Sequence, residues 1–319
     1  MRLITIEDFR DIYLKTIQRG TSFLFKKLRF SAAERTKSSF NDSTLEVAYW
    51  HQLPQVRERW NYFITGSKDT IYEKYLTHKY LKNEKIRILS IGSGVCSHEL
   101  TIAQLNPNSE ITCIDFSDKL LQKASRKADE EGIKNITFVN NDIYKTDLQQ
   151  GHYDVVFFHA SLHHFKHIPS FLERIKSSMV ANGLIIINEY VGANRLQYTR
   201  EQISAINDGL EKLPAAYKKL YKSNIHKNRY YGSGILRMII SDPSECVDSE
   251  SILPTLRKLF RVIEEKKYGG NILMPLLKDI AHNFNDEASE KILQQLFDHE
   301  DRYLESHQSD YILGVYQNR

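Results

Sequence analysis

The chain has 319 residues, of which 41% are hydrophobic and 26% are charged, as is usual for a globular protein with a packed core. Its 44 Lys and Arg residues against 40 Asp and Glu residues give a formal net charge of +4, which makes nucleic acid an unlikely partner. No apolar run approaches the roughly 18 residues of a transmembrane segment, and no signal-peptide pattern is present. Three cysteines without metal-ligand spacing cannot form a disulfide framework, so we expect a cytoplasmic protein.

Residues 1–80 are predicted to form a helical N-terminal cap. Within it, the segment 22–30, SFLFKKLRF, combines apolar residues with three basic ones. We interpret this segment as an amphipathic helix packed on the main domain, with a membrane or an anionic partner as the alternative.

From residue 81 to residue 190, short apolar segments alternate with helical patterns. We expect five strands, at 86–91, 111–115, 136–142, 153–160 and 184–190. Such alternation predicts an α/β fold with a parallel sheet covered by helices on both faces. In these sheets ligands bind beyond the carboxyl ends of the strands, where Asp115, Asp142, His159 and Glu189 are expected.

After residue 190 the alternation stops. Residues 191–257 are predicted to be a mostly helical insertion, and they include a basic, aromatic segment at 217–231. The region 258–319 contains two further strands, at 260–269 and 310–318, with helices between them. We expect these two strands to complete the core.

The glycine turn Gly92-Ser93-Gly94 lies between the first strand and the following helix. Glycine has no Cβ, so a ligand can approach the backbone, and the helix N-terminus attracts a polar or anionic group. Asp115 follows at the end of the second strand, where an acid can accept from ribose hydroxyls. Together these features predict a nucleoside-cofactor site.

Three such cofactors were compared: ATP, a dinucleotide and S-adenosylmethionine. No Lys-Ser/Thr pair follows Gly94, which excludes a P-loop. Ser97 stands where the dinucleotide motif has its third glycine, and Cys96 stands where another glycine would let the backbone meet a pyrophosphate. Asp142, after the third strand, can accept from an adenine amino group. These residues favour S-adenosylmethionine.

The motifs LSIGSGVCSHEL, CIDFS, VNNDI, FFHASLHHF and NGLIIINEY resemble, in order and spacing, those of class I S-adenosylmethionine-dependent methyltransferases. The motifs EYVGANRLQY and DPSECVDSESILP resemble a bacterial branch of that class linked to polysaccharide or natural-product pathways. The resemblance implies a Rossmann-like parallel sheet closed by a C-terminal antiparallel strand pair. The helical cap would precede this sheet and the helical insertion would follow its fifth strand. Cys96 departs from the glycine usual in the class.

The resemblance also implies contacts with the methionine and ribose parts of the cofactor. Gly92, Ser93 and Gly94 would border the methionine moiety. Asp115, expected at an exposed strand end, would hold the ribose hydroxyls, and Phe116 would lie against the adenine.

The other implied cofactor contacts follow the third and fourth strands. Asp142 and Ile143 would read the edge of the adenine, and His159 would face the sulfonium.

Methyl transfer needs a base only if the acceptor must lose a proton. His163 is the first candidate for this base and Glu189 the second, with Tyr190 as an orienting hydroxyl. The cluster HASLHHFKH also offers imidazoles to a metal, but similar proteins often carry Leu-His-His without one, so we expect no metal.

The expected reaction is O- or N-methylation of a small molecule, such as a natural product, an amino or keto acid, or a sugar. Arg195, Tyr198 and the segment 217–231 are candidates to contact an anionic acceptor. The alternatives are C-methylation of an α-keto acid-like substrate and a non-catalytic partner protein that retains the fold. We also consider a homodimer.

Overall fold

The computed structural model describes residues 1–19, 34–36 and 48–319. The apolar and basic segment 22–30 therefore lies outside the described residues. None of the described helices combines the length and the apolar character needed to pass through a lipid bilayer.

The described residues contain one seven-stranded sheet and the helices packed around it. The strands are β1 (Arg87–Ile91), β2 (Glu110–Asp115), β3 (Ile136–Asn140), β4 (Tyr153–His159), β5 (Met179–Tyr190), β6 (Arg261–Gly269) and β7 (Tyr311–Gln317). The α-helices, numbered over the described residues, are α1 (Ile6–Arg19), α2 (Pro54–Thr65), α3 (Tyr72–Leu76), α4 (Ser97–Leu105), α5 (Asp118–Glu130), α6 (Ile168–Ser178), α7 (Arg200–Glu211), α8 (Ile235–Ser241), α9 (Ile252–Leu259), α10 (Leu273–Leu277) and α11 (Glu287–Leu304).

The order of the strands in the sheet is β3-β2-β1-β4-β5-β7-β6. The first five strands are parallel, while β7 runs antiparallel to both β5 and β6. This arrangement confirms the predicted Rossmann-like α/β fold with its antiparallel closing pair. The strand order reverses direction between β1 and β4, which is where open parallel sheets bind their ligands.

The sheet has a packed core on each face. Along β4, Val156 and Phe158 belong to one apolar cluster, which also contains residues of α6 and α9. Val155 and Phe157 belong to a second cluster, which contains residues of α3, α4 and α5. Because successive side chains of a strand point to opposite faces, a strand covered on both sides is apolar where it is buried, as residues 155–158 of β4 are.

A third apolar cluster lies away from the middle of the sheet and joins distant parts of the sequence. It includes Leu14 and Trp50 from the predicted cap, Ile206 from the predicted insertion, and Leu276 and Leu296 from the C-terminal region. These three regions are therefore packed against one another.

The fifth strand begins earlier than predicted. Met179 already pairs with Tyr153, and a bulge that contains Asn182 at a φ of 62° follows before the regular ladder begins. The preceding helix α6 accordingly ends at Ser178. The sequence pattern predicted the turn before Leu184, but it did not predict that Met179 pairs with Tyr153 ahead of this turn.

The basic segment 217–231 is not a solvated helix. It contains the end of a 3-10 helix (Ala215–Lys218) and a short bridge between Lys219 and His226. Lys227 is buried, and its ammonium donates to the carbonyls of Pro275 and Lys278. One of the positive charges of this segment therefore lies in the interior of the protein and not on its surface.

Two isoleucines in neighbouring parts of the sheet provide a test of this packing. Ile186 in β5 is 1% exposed, whereas Ile263 in β6 is 39% exposed. We expect Ile186→Ala to lower the free energy of unfolding by about 2–5 kcal/mol, because it leaves a cavity in a packed core. Ile263→Ala should lower it by less than about 1 kcal/mol. Equal losses in urea denaturation would contradict the assigned faces of the sheet.

Candidate functional site

A cavity of about 690 Å³ opens beyond the carboxyl ends of the parallel strands. Five of the eight predicted cofactor residues line it: Gly92, Asp115, Phe116, Asp142 and Ile143. Ser161, His164 and Phe165, from the segment after β4, form the facing wall. The structure thus brings together side chains that the strand-end rule predicted to be neighbours.

The glycine turn follows β1 in a conformation that requires glycine at its first position. Gly92 has a φ of 72°, and a Cβ there would lie 2.8 Å from the Cβ of Ser161. Gly94 has a φ of 55°, and its N–H donates to Asp115 Oδ2 at 2.9 Å. Neither Ser93 nor Gly94 belongs to the residues that line the cavity, although both are part of the turn.

Asp115 is not at an exposed strand end, so that prediction is wrong. The residue is only 6% exposed, and its carboxylate also accepts from the backbone N–H of Ser117 at 2.7 Å. It therefore ties the glycine turn to the start of α5 while it lines the cavity. A carboxylate has about four lone-pair sites, so accepting from Gly94 and Ser117 does not by itself exhaust its capacity.

The far end of the cavity is apolar and aromatic, with one acid at its edge. Phe116, Tyr144 and Phe165 line this region, and Ile143 is buried. Asp142 is partly exposed, and its Oδ1 accepts from the backbone N–H of Tyr144 at 3.0 Å. Flat apolar walls next to a carboxylate suit an aromatic ring that carries an amino group.

His159, at the end of β4, is not among the residues that line the cavity. Its Nδ1 lies 2.8 Å from the hydroxyl of Tyr72, and its ring centroid lies 3.6 Å from that of His98. His98 Nδ1 lies 2.6 Å from Glu73 Oε1. Burial and the neighbouring His98 lower the pKa of His159 well below 6.5, so its imidazole is neutral. The sequence did not associate Tyr72, Glu73 or His98 with this strand end.

Glu189 and His163, the two predicted candidate bases, are hydrogen-bonded to each other. Glu189 is completely buried, and its Oε2 lies 2.7 Å from His163 Nδ1. Its Oε1 accepts from the backbone N–H groups of Ser161 and Leu162. Both oxygens of Glu189 are thus engaged, and the geometry makes it the group that orients His163.

The charge of Glu189 also affects the proton affinity of its partner. Burial alone would lower the pKa of His163, but the adjacent carboxylate of Glu189 outweighs burial and raises it above 6.5.

Tyr190 does not present its hydroxyl to the cavity as predicted. The residue is buried, and its hydroxyl donates to the carbonyl of Ala193 at 3.0 Å. Its ring packs edge-on against Tyr311 and against His163. Tyr190 therefore supports the position of His163 from the core.

The segment 242–246, from the insertion, forms another part of the wall. Pro243 and Ser244 line the cavity, and Ser244 Oγ lies 3.0 Å from His164 Nδ1. The guanidinium of Arg195 donates to the carbonyls of Pro243 and Glu245, which fixes this segment.

The residues predicted to contact an anionic acceptor are placed differently. The Arg195 guanidinium donates to the backbone carbonyl of Pro243. Tyr198 is buried in the third apolar cluster, and the segment 217–231 contributes nothing to the wall of the cavity. None of them is in position to meet an anion in this cavity.

Histidines and acids also gather where this segment meets the 3-10 helix Leu162–His164. Potential metal-ligand atoms of His163, Glu245 and Cys246 lie within 4.8 Å of one another, and so do those of His164, Asp242 and Glu245. The sequence indicated the histidines, but not the acids, which are about 80 residues further along the chain.

Comparison with known proteins agrees with the fold. Residues 82–279, more than half of the chain, match the family model described as a methyltransferase domain. The chain therefore belongs to this family, within the class I S-adenosylmethionine-dependent methyltransferases, and S-adenosylmethionine is its cofactor. The resemblance read from the sequence motifs is confirmed.

Individual relatives cover only parts of the chain. It is 25% identical over 115 residues to malonyl-[acyl-carrier protein] O-methyltransferase of Bacillus cereus, a match over 36% of this chain and 41% of the relative. It is 28% identical over 133 residues to ribosomal RNA small subunit methyltransferase G of Streptococcus pyogenes, a match over 40% of this chain and 55% of the relative.

Among solved structures, the [4+2]-cyclase SpnF aligns with 89% of this chain and 93% of its own, with a TM-score of 0.50 and 12% identity. This likeness shows the fold.

The pair of His163 and Glu189 predicts a dependence of stability on pH. A raised pKa in the folded state stabilises the fold fully below pH 6.5, and this contribution is lost as the pH rises through the folded-state value. We expect Glu189→Gln to lower the His163 pKa, remove this dependence and cost about 1–3 kcal/mol. NMR titration of the histidines and urea denaturation across pH measure both effects. Glu250→Gln, an exposed change nearby, should alter neither.

Proposed function

We propose that this protein transfers a methyl group from S-adenosylmethionine to an oxygen or nitrogen atom of a small molecule. Natural-product intermediates, amino or keto acids and sugars are the acceptor classes considered. The observation that carries the proposal is the buried, hydrogen-bonded pair of His163 and Glu189. Neither residue lines the cavity, but His163 adjoins His164, which lines a cavity suited to a nucleoside. This arrangement combines a site for the donor with a group able to take a proton.

The residues of the cavity fit the cofactor. Asp115 would accept from the ribose hydroxyls, Asp142 and the adjoining backbone of Ile143 would meet the adenine edge, and Phe116 would pack against the adenine ring. Gly92, which lines the cavity and has no room for a side chain because Ser161 packs against it, would border the methionine portion. The cofactor supplies a methyl group on a positively charged sulfur, which becomes a neutral thioether after transfer.

His163 is suited to remove the proton of an acceptor hydroxyl or amine. Its Nδ1 faces Glu189, so Nε2 is the nitrogen left to accept a proton. Glu189 stabilises the imidazolium that then forms, and it holds the ring in one orientation. Such a pair of an acid and a histidine is a common form of general base, with a raised pKa that lies closer to neutral pH.

His159 would contribute to the sulfonium end of the site. It is neutral and bonded to Tyr72, so it offers polar edges without an added positive charge next to the sulfonium. A cationic side chain at this place would oppose binding of the cofactor.

A small-molecule acceptor is favoured over RNA. One curated relative methylates a malonyl group and another methylates ribosomal RNA, so the names of the relatives alone do not decide between them. Binding to RNA depends on a surface of basic residues. The most basic segment of the insertion, 217–231, buries one of its five Lys and Arg residues, Lys227, against backbone carbonyls, and it contributes nothing to the wall of the cavity.

C-methylation of an α-keto acid-like substrate is a second candidate. It is favoured by the neighbouring His164, Asp242 and Glu245, because forming an enolate needs a base and is helped by a cation. A non-catalytic partner protein is the remaining alternative, and it would bind no acceptor.

Asp115 provides a test of the cofactor site. We expect Asp115→Ala to weaken S-adenosylmethionine binding by about 10- to 100-fold, because a charged hydrogen-bond acceptor is lost. The variant should also lose about 1–3 kcal/mol of stability, since the N–H groups of Gly94 and Ser117 lose their partner. Calorimetric titration and urea denaturation measure these changes. Asp129→Ala, which removes an exposed acid of α5, is the control, and wild-type affinity in Asp115→Ala would reject the assignment.

Transfer itself is tested with methyl-labelled S-adenosylmethionine and separate pools of bacterial metabolites and RNA. We expect label to appear in the metabolite pool. His163→Gln should bind the cofactor normally but transfer methyl at least about 100-fold more slowly, because the base is lost. His167→Gln, an exposed histidine of the same segment, should behave as wild type. Label confined to RNA would exclude the proposed acceptor class, and cofactor binding without transfer to either pool would favour the non-catalytic alternative.

A further inference from the structure

The segment 242–246 brings two acids to the histidines that follow β4. His164 Nε2 lies 4.0 Å from Glu245 Oε2, while Nδ1 of the same ring lies 3.0 Å from Ser244 Oγ. The Ser244 hydroxyl donates to Asp242 Oδ1 at 2.6 Å, which leaves its oxygen to accept from His164 Nδ1–H. This chain of hydrogen bonds sets the tautomer of His164 so that its Nε2 lone pair is directed towards Glu245.

The acid Asp242 is held in the same manner. The backbone N–H and hydroxyl of Ser244 and the hydroxyl of Thr36 all donate to its Oδ1. Its other oxygen, Oδ2, takes part in none of these hydrogen bonds. Asp242 is therefore oriented through one oxygen and can offer the other to a ligand.

We propose that His164, Asp242 and Glu245 bind one divalent metal ion at the wall of the cofactor cavity, and that an oxygen atom of the acceptor completes its coordination. The first part stands independently, and the second part rests on the proposed function. The proposal departs from the sequence-based expectation of no metal, because the two acids became neighbours of the histidine only in the folded chain.

The charges around this group favour a cation. Within residues 1–19, 34–36 and 48–319, no lysine or arginine forms an ion pair with Asp242 or Glu245. Arg195 donates to backbone carbonyls and Arg237 pairs with Asp8 and Asp11, although both arginines are close enough to interact electrostatically with Glu245.

The chemistry of the three side chains indicates the kind of metal. One imidazole with two carboxylates suits Mn²⁺, Fe²⁺ or Zn²⁺ better than a soft ion such as Cu⁺. Ligands about 2.1 Å from such an ion lie about 3 Å apart. The three ligand atoms now lie within 4.8 Å of one another, so modest side-chain rotations would bring them into place.

The neighbouring group of His163, Glu245 and Cys246 is less suited to this role. His163 Nδ1 is already bonded to Glu189, and the thiol of Cys246 donates to Glu245 Oε1 at 3.2 Å. We therefore assign the ion to the first group and leave His163 to act as the base.

The position of the proposed metal site indicates how a bound ion would act on the acceptor. His164 belongs to the wall of the cavity, as does Ser244, so a metal ion there would be next to the bound cofactor. An acceptor hydroxyl bound to this ion would have a lowered pKa, and its proton would pass to His163. An acceptor carboxylate would be neutralised and oriented. The ion thus supplies the positive charge that Arg195 was predicted to supply.

The test measures metal binding directly. Metal-free protein is titrated with MnCl₂ by calorimetry, and bound Mn²⁺ is counted by electron paramagnetic resonance, with ZnCl₂ in a parallel titration. The variants are His164→Gln, Asp242→Asn and Glu245→Gln for the proposed group, and His163→Gln and Cys246→Ser for the neighbouring group. His167→Gln and Glu250→Gln are matched controls, since both residues are exposed and lie nearby in sequence. S-adenosylmethionine affinity, measured for every protein, reports whether the cavity is intact.

We expect one equivalent of Mn²⁺ in the wild type and both controls, and Mn²⁺ affinity at least tenfold lower in each of the three variants of the proposed group. Cofactor affinity should be retained in Asp242→Asn and Glu245→Gln, whose residues do not line the cavity. Absence of binding of Mn²⁺ and Zn²⁺ to a wild type that binds S-adenosylmethionine would overturn the metal site and leave the proposed function standing. Mn²⁺ binding that is unchanged in all three variants would overturn the assignment of ligands. Zn²⁺ binding that needs His163 and Cys246 but not Asp242 would overturn it in favour of the neighbouring group.

Discussion

The candidate active site depends on one buried carboxylate, that of Glu189. It has no exposed surface, and an unpaired charge in such a place would be strongly destabilising. Three donors offset that cost: the backbone N–H groups of Ser161 and Leu162, and the ring of His163. Because Glu189 belongs to β5 and the donors follow β4, this carboxylate fixes the loop between the two strands and every side chain on it.

That loop in turn determines what the rest of the chain can contribute. The Cβ of Ser161 approaches Gly92 so closely that this position of the glycine turn has no room for a side chain. The backbone carbonyl of His163 accepts from Val247, and the ring of His164 meets Ser244. The cofactor cavity and the insertion are therefore both built against a loop whose position is set by one charge.

The sequence predicted the sheet and the neighbourhood of the cofactor residues well. Both predictions depend on local pattern and on a general rule: apolar strands alternating with helices form a parallel sheet, and the polar residues at their carboxyl ends meet. Gly92, Asp115 and Asp142 come together for that reason, and they line one cavity. The burial of Asp115 was missed because its partners are backbone N–H groups, which leave no mark in the sequence.

The remaining features depend on contacts between distant segments, which no local pattern reveals. Tyr72 reaches His159 across 87 positions, and Ser244 reaches His164 across 80. Tyr190 ends a strand whose last residues are polar in the sequence, but in the structure its ring packs in the core against Tyr311. The position of Arg195 after a strand suggested that it binds an anion. In the folded chain its guanidinium instead donates to nearby backbone carbonyls.

The third apolar cluster has a consequence for how the protein unfolds. It draws side chains from α1, α7, α10 and α11, so the regions that the sequence divides into cap, insertion and C-terminal part share one interior. The buried ammonium of Lys227 adds a second link, from the insertion to the carbonyls around α10. No boundary between these regions can open without exposing apolar surface of all three. The helical regions around the sheet accordingly form a single cooperative unit, and removing any one of them would destabilise the others.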